Sequence, residues 1–119
     1  DTYRCTEIVR NPGAAASRGR TSVIVRETAD ITRKVSYGNR FDHVYAVNVD
    51  VRETRNGRTE TVKAFKSVAT VTDVDYLISA VRSQGVKIAI FLDEPADAWM
   101  ARTSPSGRKV TTFLDCEPN

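Results

Sequence analysis

Few side chains in this 119-residue chain have the types and spacing that chemistry demands. Cys5 and Cys116 are its two cysteines, and His43 is its one histidine. Metal knuckles and CxxC redox sites hold their ligands a few residues apart, so cysteines this distant build neither. A catalytic thiolate needs a basic partner, and only His43 is available for that role. A Ser–His–Asp arrangement could be assembled around the same histidine only by choosing residues freely, and there is no glycine-rich phosphate loop. Asp93 and Glu94, standing before Pro95, read as a solvated turn rather than an acid pair. These observations turn expectation away from catalysis and metal binding, and no cofactor is expected.

The cysteines lie near opposite ends of the chain and read as a disulfide joining the first and last strands. The alternative is two unrelated buried thiols. A bond closing so long a loop contributes about 4–5 kcal/mol in the chain-entropy model, and it requires Cα atoms roughly 4.4–6.8 Å apart. Disulfides persist in oxidising compartments, so secretion is expected. The chain begins at Asp1 with no Met and no basic-then-apolar leader. A mature protein looks like this after signal-peptide removal, and so does a trimmed chain.

No apolar run approaches the roughly 20 residues of a membrane-crossing helix. The net charge of +3 is mildly basic, which is compatible with a polyanionic partner without announcing one. Basic side chains concentrate in the N-terminal third, at Arg18, Arg20, Arg33, Lys34 and Arg40, with Tyr37 and Phe41 interleaved. Rings stack on bases while Arg and Lys meet phosphates. Arg33, Lys34, Tyr37, Arg40, Phe41 and the neighbouring His43 are therefore candidate RNA-binding residues. The competing reading is a solvated basic surface with the rings in the core.

The elements that must position these residues fit one domain spanning 1–119. Tyr3 to Val9 reads as a strand ended by the turn Asn11-Pro12-Gly13, and residues 14–20 read as a loop. The stretch from Thr21 to Val35 is ambiguous. Its β-branched residues favour strand, while Ile24, Thr28, Ile31 and Val35 share a helical face. Two strands joined by Asn56-Gly57 form a hairpin. A two-residue turn sets Val51 opposite Val62, Val49 opposite Ala64 and Asp50 opposite Lys63. Thr72 to Gly85 looks like a helix, with Thr72 and Asp75 in a capping-box pattern and an apolar stripe of Val74, Leu77, Ile78 and Val81. The closing part reads as three strands, "VKIAIFL", "AWMART" and "RKVTTFLDC", separated by the turns "DEPAD" and "SPSG". The expectation is an α+β domain with a mostly antiparallel sheet.

Tyr3-Arg4-Cys5 resembles the Y/F/W-x-C signature of powdery mildew secreted effectors, many of which have a fold similar to small guanine-preferring fungal ribonucleases. In that family a cysteine near the C-terminus bonds the one in the signature, which is where Cys116 stands. The resemblance implies a microbial-ribonuclease-like α+β fold: a helix over residues 21–35 packed on an antiparallel sheet, with the segment 72–85 as an inserted helix. It also implies a secreted, monomeric protein delivered into plant cells, acting on host proteins and open to recognition by intracellular immune receptors.

Ribonucleases of that fold pair a general base with a general acid, because the 2′-hydroxyl loses a proton while the leaving oxygen gains one. By the resemblance, His43 falls where those enzymes carry a functional histidine. Lys63 and Lys66 stand where a catalytic Glu is wanted, so the pair is incomplete and a pseudoenzyme is expected. The rival readings are an active secreted ribonuclease and a bacterial periplasmic or secreted binding or inhibitor protein.

Overall fold

A computed structural model describes residues 1–10, 12–13, 15, 17–32, 43–78 and 85–118. It is all-β. Eight antiparallel strands follow one another around a closed barrel: β1 (Thr2–Val9), β2 (Ser17–Asp30), β3 (His43–Arg55), β4 (Arg58–Val71), β5 (Asp75–Ile78), β6 (Val86–Phe91), β7 (Ala98–Thr103) and β8 (Lys109–Pro118). Among the described residues the only helical element is a 3-10 turn at Pro95–Asp97. This overturns the α+β expectation and, with it, the ribonuclease-like sheet crossed by a packed helix.

The expected helix over 21–35 is strand β2 as far as Asp30, and residues 17–20 belong to the same strand rather than to a loop. Its buried positions alternate: Thr21, Val23 and Val25 point inward, while Ile24, the first residue of the helical stripe, points out. The β-branched propensity was the better guide, because a strand buried on one face needs only period two. The second expected helix, over 72–85, fails as far as Ile78 for a different reason, and residues 79–84 lie outside the described residues. Thr72 Oγ1 does accept the Asp75 N–H at 3.1 Å, the bond a capping box would make. Thr72 N–H also donates to the Asp75 carbonyl at 2.9 Å, which closes a reverse turn from β4 into β5. Asp75–Ile78 then pairs with both neighbours as a strand, with Tyr76 and Ile78 inward.

The hairpin is where the sequence places it. Asn56 and Gly57 both have positive φ, 53° and 76°, as a type I′ turn requires. Its register differs from the two-residue extrapolation. Pairing shifts between Val51 and Arg52, so Val51 lies opposite Lys63, Val49 opposite Phe65 and Asp50 opposite Ala64. The extra residue is Val62, left 50% exposed by a β-bulge. The bulge turns Phe65 into the core and Ala64 outward.

Inward-facing side chains fill the barrel. Val23, Val25, Val47, Val49, Val51, Phe65, Tyr76, Ile78, Ile88, Ile90, Met100 and Leu114 form one buried cluster. Eight strands leave an interior that side chains can fill or that holds one small ligand, and here side chains occupy it. The barrel closes where β1 pairs with β8. Cys5 and Cys116 are directly opposed there and disulfide-bonded, with Cα atoms 4.0 Å apart, slightly closer than the expected range.

Candidate functional site

Because the interior is packed, the outward side chains of the wall formed by β2, β3 and β4 define the candidate site. Alternation along β2 sets Arg20, Ser22, Ile24 and Arg26 on the outside. Register then aligns three cross-strand rows: Arg26 with Asn48 and Lys66, Ile24 with Asp50 and Ala64, and Ser22 with Arg52 and Thr61. The middle row is low because Ala64 is short, so the wall carries a groove of about 340 Å³ between its charged rows. The bulge at Val62 is what aims Ala64 and Lys66 into that groove.

Asp50 and Arg52 neutralise each other within it. The guanidinium donates to Asp50 Oδ2 from Nε at 3.0 Å and from Nη2 at 2.8 Å. The other oxygen, Oδ1, is buried and has no hydrogen-bond partner among the described residues. Arg26 and Lys66 are exposed and stand in no ion pair among the described residues. Neighbouring strands lie about 4.8 Å apart, so the backbones carrying these two cations are about 10 Å apart with the Asn48 amide between them. Three cations against one carboxylate leave the groove positive. Arg4 on β1, opposite Ile24, and Arg20 farther along β2 extend the positive face.

Comparison with protein-family models, with curated proteins and with solved structures returns no match. The site's meaning therefore rests on its own chemistry.

Of the residues singled out in the sequence, Cys5 and Cys116 are brought together as the disulfide. His43 opens β3 opposite Val71, with its side chain exposed. Arg33, Lys34, Tyr37, Arg40 and Phe41 lie outside the described residues. Lys66 points out into the groove, whereas Lys63 lies on the inward-facing register of β4, so the two do not form one site. Sequence reasoning missed Arg26, Asn48, Asp50 and Arg52. The signal was available in the spacing of Arg20, Ser22, Ile24 and Arg26, which share a face only if the segment is a strand.

Two further clusters have structural explanations. Glu7 folds over Gly19 at the β1–β2 bulge and accepts the Thr21 N–H at 3.1 Å. A side chain at position 19 would collide with that carboxylate. At another site Tyr76 donates to Glu27 Oε1 at 3.0 Å, and the Asp1 amino group lies 3.3 Å from Glu27 Oε2. Burial, reinforced by the hydrogen bond to Glu27, pushes the Tyr76 hydroxyl well above its ordinary pKa. Tyr3, packed against Tyr76 at 4.9 Å between ring centroids, is raised by burial and by the Glu27 charge.

Proposed function

We propose that this protein is a binding domain of an oxidising compartment that uses its outer wall to recognise an anionic group, without catalysis. The row Arg26–Asn48–Lys66 carries this reading: two cations in no ion pair among the described residues flank an amide at the rim of a groove. Guanidinium and ammonium groups bind carboxylate and phosphate oxygens with charge-assisted hydrogen bonds. The groove's one carboxylate is engaged by Arg52, and no imidazole lines it. It therefore offers recognition rather than proton transfer. The Cys5–Cys116 bond supports the compartment, since such bonds persist where thiols are oxidised.

The resemblance to powdery mildew effectors now stands on Tyr3-Arg4-Cys5 and on the pairing of Cys5 with Cys116. A secreted effector that binds host components stays compatible with a disulfide-closed binding barrel. The groove is what supports a binding function.

Pyrophosphate, a small rigid dianion or trianion, is a suitable probe. Titrated into 15N-labelled protein, it should shift amides around residues 26, 48 and 66, and Arg26→Ala or Lys66→Ala should weaken that response about tenfold. Shifts centred on the arginines of the β3–β4 turn instead would refute the assignment.

A further inference from the structure

The groove is not uniformly cationic, and the one buried side-chain atom left without a hydrogen-bond partner among the described residues, Asp50 Oδ1, is an acceptor. We infer that its ligand is an acidic sugar, a uronate-bearing oligosaccharide that offers hydroxyl donors as well as a carboxylate; this rests on the anion-binding reading above. The row of Arg26, Asn48 and Lys66 supplies two cationic donors and an amide, and so favours acceptors on the ligand. The next row, one step along the wall, supplies Asp50, whose Oδ1 is without a hydrogen-bond partner among the described residues. A buried acceptor left unpaired costs free energy, so a ligand that donates there gains from the site.

The Asp50 side chain is 28% exposed and lines the groove, so a ligand hydroxyl can reach the carboxylate there; drawing Oδ1 outward by rotation about χ2, which is broad for Asp, exchanges a contact with Arg52 for one with the ligand. An acidic sugar carries both complements on one ring, an anionic carboxylate for the Arg26 row and hydroxyl donors for Asp50. Ile24 and Ala64, between the charged rows, accept the apolar face of such a ring.

A nucleic acid fits less well. Proteins that bind single strands stack bases on aromatic side chains. None of the described residues lining the groove presents an aromatic side chain outward, since Phe65 points into the core. A phosphodiester backbone also brings acceptors toward Asp50, where a donor is wanted. The positive face also continues along β2 from Arg26 to Arg20, six residues or about 20 Å. That length suits an oligomer rather than one sugar.

The decisive variant is Asp50→Ala, because the two ligand chemistries give opposite signs. Removing Asp50 deletes a negative charge and releases Arg52, so pyrophosphate should bind several-fold more tightly. A galacturonate oligomer loses its hydroxyl acceptor and should bind about fivefold or more weakly. Arg20→Ala should weaken the oligomer and leave pyrophosphate unchanged. The same NMR spectra report that each variant is folded. If Asp50→Ala strengthens both ligands, or if oligouridylate binds the wild-type protein more tightly than the galacturonate oligomer, the sugar assignment is wrong while anion binding stands. If pyrophosphate ignores Arg26→Ala, the anion-binding reading fails at its root.

Discussion

Strands β2, β3 and β4 run 14, 13 and 14 residues, and their outward positions carry Arg20, Arg26, Asn48, Asp50, Arg52 and Lys66. Strands β5, β6 and β7 run four, six and six residues, and a row of Leu77, Ala89 and Trp99 continues across them to Phe113 on β8. Both walls turn apolar side chains inward. They differ on the outside. The long wall is wet, whereas outward-facing Ala89 and Ala101 on the short wall are 1% and 4% exposed. Trp99 stands opposite Ala89 and Lys87 opposite Ala101, and the Lys87 ammonium lies 5.9 Å from the Trp99 ring centroid. These two long side chains stand beside the alanines on the same face. The difference teaches that one barrel can divide its labour: the short wall gains stability from both faces, and the long wall leaves one face for recognition.

The bond holding the two walls together should matter most. Replacing both cysteines, Cys5→Ser with Cys116→Ser, should cost about 3–5 kcal/mol by denaturant unfolding. A loss near zero would mean that the hydrogen bonds between β1 and β8 already close the barrel unaided. On the short wall, Trp99→Ala should cost about 2 kcal/mol, less than a fully buried aromatic because its ring is partly exposed. It should leave pyrophosphate binding unchanged. A loss of binding with unchanged stability would reverse the roles assigned to the two walls.

Tyr76 tests the core that both walls share. Its hydroxyl has a higher pKa in the folded than in the unfolded protein, where the ordinary value is 10.0. The stabilisation is therefore fully present below about pH 10 and is lost as pH rises above it, since the unfolded chain then ionises while the buried hydroxyl cannot. Tyr76→Phe should cost about 1 kcal/mol at neutral pH and flatten the alkaline fall in stability. An equally steep fall in the variant would place the alkaline sensitivity elsewhere. The smallest effect belongs to the long wall's exterior: Arg26→Ala and Lys66→Ala should change stability by less than about 0.5 kcal/mol while weakening pyrophosphate binding. A large stability loss would make these cations structural.

This contrast also explains what could be read in the sequence. "VKIAIFL" is recognisable as a buried strand because its inward face and the outward Ala89 are both covered, which leaves Lys87 as the one interruption of an apolar run. β2 is covered on one face, so Val23 and Val25 alternate with Ile24 and Arg26, and a chance helical stripe through Ile24 and Thr28 competed with that alternation. The Asn56-Gly57 turn was legible because positive φ at both positions selects those residue types. The bulge at Val62 was not, since nothing local marks which residue a strand will leave unpaired. The groove depended on both hidden facts. Without β2 as a strand and without the shifted register, Arg26, Asn48, Asp50 and Lys66 have no reason to meet. The cysteine pair was readable because its elimination argument needed only spacing and count.

The clasp at Cys5 and Cys116 has a mechanical consequence. The cysteines face each other in adjacent strands, with 111 positions of sequence separation folded between them. A force drawn through the two chain ends passes across one covalent bond and leaves the hydrogen-bonded ladder of the barrel unloaded. Of the barrel itself only Thr2 to Arg4 on β1 and Glu117 and Pro118 on β8 lie outside the clasp and can be peeled away under tension. Extension would begin elsewhere in anything the domain is tethered to, and the groove on β2 to β4 would keep its shape while its ligand is pulled.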